Sequence, residues 1–205
     1  MHTRWVDAAL KLRPPSGYSI EWVRGLGWCD ARRIHYIIEK VLEADADYVA
    51  FIDGDVVVPP EWLETMAKHM ESGCRVVASV VPMRGRAHEQ YAPFGPMAWN
   101  VVGSKLVPII LNAKLQEVDY ISLGAVMMEA NIFRECDALW TWHEFDERNG
   151  YRPRGSTADS ILMRNIRKRG IRVYADPSLT VKHLHTFEID HTFGDRFPEW
   201  GVGQQ

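Results

Sequence analysis

Apolar residues recur at helical spacing in three stretches of this chain, and continuous apolar runs lie between them. Ile34, Ile37, Ile38, Val41 and Leu42 form the first stripe, which predicts a helix over residues 31–44 with Asp30 as its cap. Trp62, Leu63, Met66, Ala67 and Met70 form the second, opened by Pro60, where a first turn tolerates proline, and stopped by Gly73. Ile161, Leu162 and Ile166 mark a third helix over residues 158–169, with Thr157 as cap and Gly170 as stop. Buried strands are predicted over residues 48–52 and 75–81, on either side of the second helix. This strand, helix, strand alternation implies a parallel sheet, in which ligands bind beyond the carboxyl ends of the strands.

The middle of the chain reads as β-rich. Residues 82–96 carry proline, glycine and charge and predict a long loop. Short strands follow over 99–102 and 105–111 around a Gly103-Ser104 turn, and another runs over 118–123 toward Gly124. Residues 125–128 are apolar and 131–136 suggest a helical turn. Trp140, Trp142 and Phe145 either stack on a sugar or pack as core. Short strands are expected over 171–174 and 179–184, after which the pattern fades. The organisation is therefore one α/β domain over residues 1–186 and a C-terminal tail over 187–205.

Candidate chemistry begins where the first strand ends, on Asp53-Gly54-Asp55. In an extended segment, side chains at i and i+2 point the same way, so both carboxylates can converge on a hard cation such as Mg2+ or Mn2+. Gly54 adds no bulk, which leaves room for a phosphate to approach the backbone. Asp-Gly between apolar runs is also the strongest short hairpin signal. Against a hairpin stands the brevity of Val56-Val57-Val58 before Pro59-Pro60, since proline is a poor member of a paired strand. His183 and His185 share one face of a strand by their spacing, so either imidazole can reach the cation if that strand lies beside Asp55.

Composition narrows the classes. A chain of 205 residues, 46% hydrophobic and 25% charged, has the make-up of an ordinary globular domain. Its net charge of −3 supplies no basic field for nucleic acid, and the local basic stretch from Arg164 to Arg172 reads as a solvated helix end. Cys29, Cys74 and Cys136 are odd in number and too widely spaced for a zinc knuckle, which fits reduced thiols in the cytoplasm. No run is long and apolar enough for a transmembrane segment, and the amino terminus lacks the apolar core of a secretory signal.

Several features now stand in a familiar order: Asp30-Ala31-Arg32-Arg33, the segment from Ala46 to Asp55, Ile121-Ser122-Leu123-Gly124-Ala125, Ala158-Asp159, and Val181-Lys182-His183-Leu184-His185. Over about residues 20–186 the chain resembles a GT-A-fold glycosyltransferase of the family 2 type. The resemblance implies an α/β fold with a Rossmann-like mixed sheet flanked by helices. The implied activity is metal-dependent, hexosyltransferase-like transfer of a sugar from a nucleotide-diphosphate sugar donor to an acceptor hydroxyl of a glycan, lipid or protein, with inversion favoured. It makes Asp55 the direct ligand of Mn2+ or Mg2+, Asp53 a ribose contact or a ligand through water, and His183 the completing ligand. Asp159 takes the place of the catalytic base, Arg32 and Gly124 face the donor, and Arg84 or Arg86 can pair with a phosphate. Members usually open with a hydrophobic strand that this chain does not show, so a sheet edge is expected to need cover from the tail or from a partner, which leaves room for a homo-oligomer. A non-catalytic binding module and a metal-dependent phosphohydrolase are the alternatives.

Overall fold

The computed structural model describes residues 3–25, 30–82, 96–112, 114–136 and 158–184; the side chains of 30–32 and 158 lie outside that description. In chain order the elements are α1 (Thr3–Ala9), α2 (Asp30–Glu43), β1 (Tyr48–Ile52), β2 (Val56–Val57), α3 (Trp62–Glu71), β3 (Val76–Ser79), β4 (Ala98–Val102), β5 (Lys105–Pro108), β6 (Gln116–Val118), β7 (Tyr120–Ile121), β8 (Ala125–Glu129), α4 (Asn131–Glu135), α5 (Ala158–Lys168), β9 (Val173–Asp176) and β10 (Lys182–His183). The three apolar stripes all become helices near their expected bounds. Gly73 and Gly170 follow α3 and α5 with φ of +99° and +72°, the left-handed conformation that ends a helix and suits glycine. The capping roles expected of Asp30 and Thr157 fall outside the described side chains.

The main sheet has the order β1-β8-β3-β9-β6. The sheet is mixed, as the family resemblance implies, and the parallel pairing expected from the strand, helix, strand alternation is confined to one neighbouring pair. β1 and β3 run the same way but are not neighbours, because β8 lies between them and pairs antiparallel with both. Only β3 and β9 pair in parallel, and β6 closes the far edge antiparallel to β9. The physical reason lies in Ala125-Val126-Met127-Met128, four consecutive buried residues that suit a strand covered on both faces.

Alternation along these strands divides the core in two. Val76, Ala78, Val126 and Met128 belong to the layer that contains Ile38 of α2, Phe133 of α4, and Leu162 and Ile166 of α5. Val77, Ala125 and Met127 belong to the layer of Trp62, Leu63, Met66 and Met70 of α3. The result is a mixed sheet flanked by helices on both faces. Trp62 is fully buried, and its indole Nε1 donates to Ser79 Oγ at 3.0 Å, so the polar handle of this large ring is satisfied.

A second sheet, β5-β4-β7, carries the hairpin expected at Gly103-Ser104, where Gly103 has φ +63°. The single strand expected over 118–123 is instead two strands in two sheets, split at Asp119. That residue anchors the break: its amide donates to Trp99 O at 3.0 Å, and its carboxylate accepts from Val101 N and pairs with Arg167 Nη2 at 2.6 Å. Arg167 also lies over the Tyr120 ring, so this cation of the basic stretch is committed to the fold. The amino-terminal segment packs beside β1 and α3. The Tyr18 ring sits 6.0 Å from that of Tyr48, and its hydroxyl donates to Glu71 Oε1 at 2.9 Å. Among the described residues, β1 pairs with β8 alone and forms one edge of the main sheet. No helix among them is long and apolar enough to cross a membrane.

A buried polar pair ties α3 to β9. His69 Nε2 lies 2.7 Å from Asp176 Oδ2, and Asp176 Oδ1 accepts from Ser178 N at 2.8 Å. Burial pushes the Asp176 carboxyl up, but the hydrogen bonds from Ser178 and His69 outweigh it and leave the group below its ordinary value. A folded-state value below the unfolded one stabilises the fold above the unfolded value, and that contribution is lost as pH falls through the folded value. Urea denaturation across the acid range is expected to show stability declining below about pH 4. Asp176→Asn should flatten that slope and cost about 1–3 kcal/mol at neutral pH, because the charged acceptor shared by the part-buried His69 and Ser178 donors is lost.

Candidate functional site

The site is assembled where β1 ends. Past Ile52, which faces Ala125 in register, Asp53 N still donates to Gly124 O at 3.0 Å. The chain then turns, and Asp53 O accepts from Val56 N at 2.9 Å. The hairpin alternative does not hold, because β1 pairs with β8 whereas β2 pairs with β10. The argument from an extended segment does not hold either. Asp53 and Asp55 lie in a turn, and among the described residues no group of three or more His, Cys, Asp and Glu side chains is placed to hold a metal ion.

What the turn achieves instead is to hand Asp55 to a late strand. In the β2–β10 pair, His183 stands opposite Val56, and Leu184 N donates to Asp55 O at 2.7 Å. This brings His183 Nε2 to 3.7 Å from Asp55 Oδ1. The histidine is nearly buried, with 8% of its side chain exposed, against 36% for Asp55. Its other ring nitrogen, Nδ1, lies 2.9 Å from Pro82 O, and since a carbonyl can only accept, Nδ1 carries the proton. In the neutral ring the lone pair of Nε2 therefore faces the carboxylate.

With the ring neutral, two electron-pair donors face one another at a separation too long for a hydrogen bond; with the ring protonated, the same contact is an ion pair. The neutral arrangement fits a shared divalent cation. Ligands held at about 2.0–2.2 Å from one ion lie roughly 3–4 Å apart, and the Nδ1 contact to a backbone carbonyl is the kind of outer interaction that orients a histidine ligand.

The Asp53 side chain lies beside Gly124. A Cβ built on Gly124 would lie 3.4 Å from Asp53 Oδ2, 3.4 Å from Ser122 Oγ and 3.3 Å from Val81 Cγ2. An added Cβ would be tight only against Val81 Cγ2 and in near-ordinary contact with Asp53 and Ser122, so Gly124, whose φ is not positive, marks a close but not a forbidden approach. Around Gly54, by contrast, an added Cβ would meet nothing within 4 Å, so that backbone is open. Asp159 sits in the first turn of α5, where its Oδ2 accepts from Leu123 N at 3.5 Å. Gly124 N donates to Ser122 Oγ at 3.1 Å. The turn Ser122-Leu123-Gly124 therefore touches Asp53 at Gly124 and Asp159 at Leu123.

Of the residues singled out from sequence, the structure brings Asp55 together with His183, and Gly124 with Asp53 and Asp159. Arg32 lies in α2 with its side chain outside the description; Arg84, Arg86, His185, Trp140, Trp142, Phe145 and residues 187–205 lie outside the described residues. Sequence reasoning missed two contributors. Ser122 could have been found from its place two residues before Gly124, since serine hydroxyls accept from a backbone amide two residues on. The Pro82 carbonyl leaves no trace in a side-chain pattern.

A cleft of about 200 Å3 opens among Val80, Pro82, Pro96, Leu111, Leu179 and Val181, next in sequence to His183 and its partner. It is smaller than the usual roughly 300–1,000 Å3 of a ligand pocket, and Thr180 and exposed backbone make its lining a mixture of polar and apolar surface.

Gly124→Ala is expected to destabilise the fold by roughly 1 kcal/mol, since the new methyl group crowds Asp53, Ser122 and Val81. In a double-mutant cycle read by urea denaturation, Asp53→Ala should relieve part of that cost. Strict additivity of the two changes would mean that the glycine does not make room for Asp53.

Comparison with known proteins bears on the same segment. Residues 38–135 match the family model described as Glycosyl transferase family 2. That stretch contains Asp53, Asp55 and Gly124, whereas Asp159 and His183 lie beyond it. Among solved structures the chain is similar to A197 from STIV, at 16% identity and a TM-score of 0.50, over 80% of this chain and 82% of that one. It also has a likeness to GalNAc-T7, whose structure is described with UDP, GalNAc and Mn2+, at 13% identity and a TM-score of 0.48, over 77% of this chain and 32% of that one. The chain thus spans about a third of GalNAc-T7. No curated protein gives a significant sequence match.

Proposed function

We propose that this chain, whose residues 38–135 match the model described as Glycosyl transferase family 2, is a GT-A-fold, metal-dependent enzyme that moves a sugar, hexosyl by class, from a nucleotide-diphosphate sugar to an acceptor hydroxyl with inversion. The observation that carries the metal dependence is the facing of His183 Nε2 and Asp55 Oδ1 at 3.7 Å, with Nδ1 of the ring committed to Pro82 O. Asp55 and His183 hold Mn2+ or Mg2+, with Asp53 contributing through water or binding the ribose. When bound, the cation supplies Lewis-acid stabilisation of the charge that develops on the departing diphosphate.

The protein's own groups do the rest. The open backbone at Gly54 admits the diphosphate, and the missing side chain at Gly124 keeps the backbone close to donor and Asp53 alike. Arg32 and Arg84 are proposed as donor contacts, each supplying a guanidinium for phosphate oxygens. Asp159 accepts the proton of the acceptor hydroxyl as the new glycosidic bond forms. Its place at the amino end of α5, with Leu123 N donating to it, aims the carboxylate at the 122–124 turn. A single domain over residues 1–186 carries all these groups.

Release of nucleoside diphosphate from a panel of nucleotide sugars, with Mn2+ supplied, tests the reading. Asp55→Ala is expected to lower turnover by at least about 100-fold. Asp159→Asn is expected to lower kcat by roughly 10²–10⁴-fold while donor binding, followed by calorimetry, persists. Turnover of Asp55→Ala at the parent rate would remove the metal role. Because β1 stands at the sheet edge among the described residues, a second reading is a non-catalytic binding module. Nucleotide binding without transfer to any acceptor would favour it.

A further inference from the structure

Ser122, Leu123 and Gly124 carry the chain from β7 in the small sheet to β8 in the main one. Backbone bonds hold both ends of this turn. Ser122 N donates to Met97 O at 3.1 Å, and Met97 is itself tied to the segment after β3, since its amide donates to Val81 O at 2.9 Å. At the other end Gly124 O accepts from Asp53 N at 3.0 Å. The ladder between β1 and β8 is only half made there. In a regular antiparallel pair Gly124 N would return a bond to Asp53 O, but that oxygen accepts from Val56 N, and Gly124 N turns to Ser122 Oγ at 3.1 Å.

Fixed ends do not fix the middle. A peptide plane between two anchored residues can rotate as a unit and exchange the directions of its N–H and C=O, with compensating changes in the flanking φ and ψ. The Ser122–Leu123 peptide is that plane here, and its N–H is the one that donates to Asp159 Oδ2 at 3.5 Å. So long a bond has little strength of its own to hold the plane. Ser122 supplies the hold. Its hydroxyl, by accepting from Gly124 N, closes a ring that runs through the Ser122–Leu123 peptide and the dihedrals that aim it. Ser122 is 7% exposed and Leu123 5%, so little water is at hand to replace that bond.

We propose that Ser122 is a positioning residue for the transfer step. Its hydroxyl fixes the Ser122–Leu123 peptide so that the Leu123 amide stays on Asp159 and the carboxylate keeps its orientation toward the acceptor hydroxyl. This rests on Asp159 as the base; the serine itself exchanges no proton with substrate. Without the hydroxyl, Gly124 N loses a buried partner and the peptide is free to turn a carbonyl toward Asp159. A carbonyl cannot donate, so the carboxylate loses the contact that aims it.

Steady-state release of nucleoside diphosphate by the full chain, with Mn2+ and a nucleotide sugar, tests this. Ser122→Ala is expected to lower kcat by about 10–100-fold, with KM for the nucleotide sugar nearly unchanged. Ser122→Cys keeps the volume but accepts poorly and should lose as much, whereas Ser122→Thr keeps the hydroxyl and should retain most of the rate. In an Asp159→Asn background, Ser122→Ala should cost less than about twofold more, because the serine acts through that carboxylate. A merely structural serine would cost the same factor in both backgrounds; that result, or a parent kcat in Ser122→Ala, overturns the proposal while leaving the base in place. Parent-rate turnover of Asp159→Asn would instead refute the base, and this role with it. Exchange of the Leu123 amide hydrogen, followed by NMR, needs no turnover. It should quicken by about tenfold in Ser122→Ala and Ser122→Cys and stay near the parent rate in Ser122→Thr. An unchanged exchange rate in Ser122→Ala overturns the proposal whatever the activity.

Discussion

Most of this molecule follows from the two-sided pairing of β8. Its backbone makes ladders with β1 on one side and β3 on the other, and its side chains from Ala125 to Met128 are buried on both faces. A strand so placed has no freedom of register, since a slip of one residue would exchange the sets that face α3 and the α2–α4–α5 layer. Its start is therefore a fixed point in space. Gly124 sits there, bonded to Asp53 across the end of β1.

From that point the polar groups are positioned by connections of very different length. Asp53 and Asp55 come from a turn only a few residues long, but His183 arrives on a strand more than a hundred residues later and Asp159 on a helix from the opposite layer. The histidine reaches Asp55 because β10 pairs with β2, and it is oriented because the Pro82 carbonyl holds its second nitrogen. Family 2 likeness over residues 38–135 covers the local half of this arrangement; the distant half is brought in by the fold.

The interior and the hairpin obey opposite rules. Inside, the large polar-tipped ring of Trp62 has Ser79, and Asp176 has both His69 and Ser178, so burial is accompanied by hydrogen bonds. At β4 and β5 aliphatic side chains stand in solvent on both faces of a strand pair that also supports β7 and thus the 122–124 turn. The same small sheet carries exposed aliphatic side chains at its tip and, at its other end, the strand that leads into the 122–124 turn.

Periodicity in the sequence determined the helices α2, α3 and α5, the strand before Asp53, the Gly103 turn and the apolar run of β8, because each depends on spacing within a few residues and on burial of one face or both. Residue type likewise marked Asp53, Asp55, Gly124, Asp159 and His183 as candidate chemistry. Which strands become neighbours was decided only in three dimensions, where the doubly buried β8 takes the position between β1 and β3. The break at Asp119 is of the same kind, since it depends on Trp99 and Arg167, which are distant in sequence. Tertiary structure also decided that Asp53 and Asp55 flank a turn rather than share a strand face, and that the partner of Asp55 is His183. Hydrogen bonds between distant backbone segments set those positions, and no local pattern of side chains encodes them.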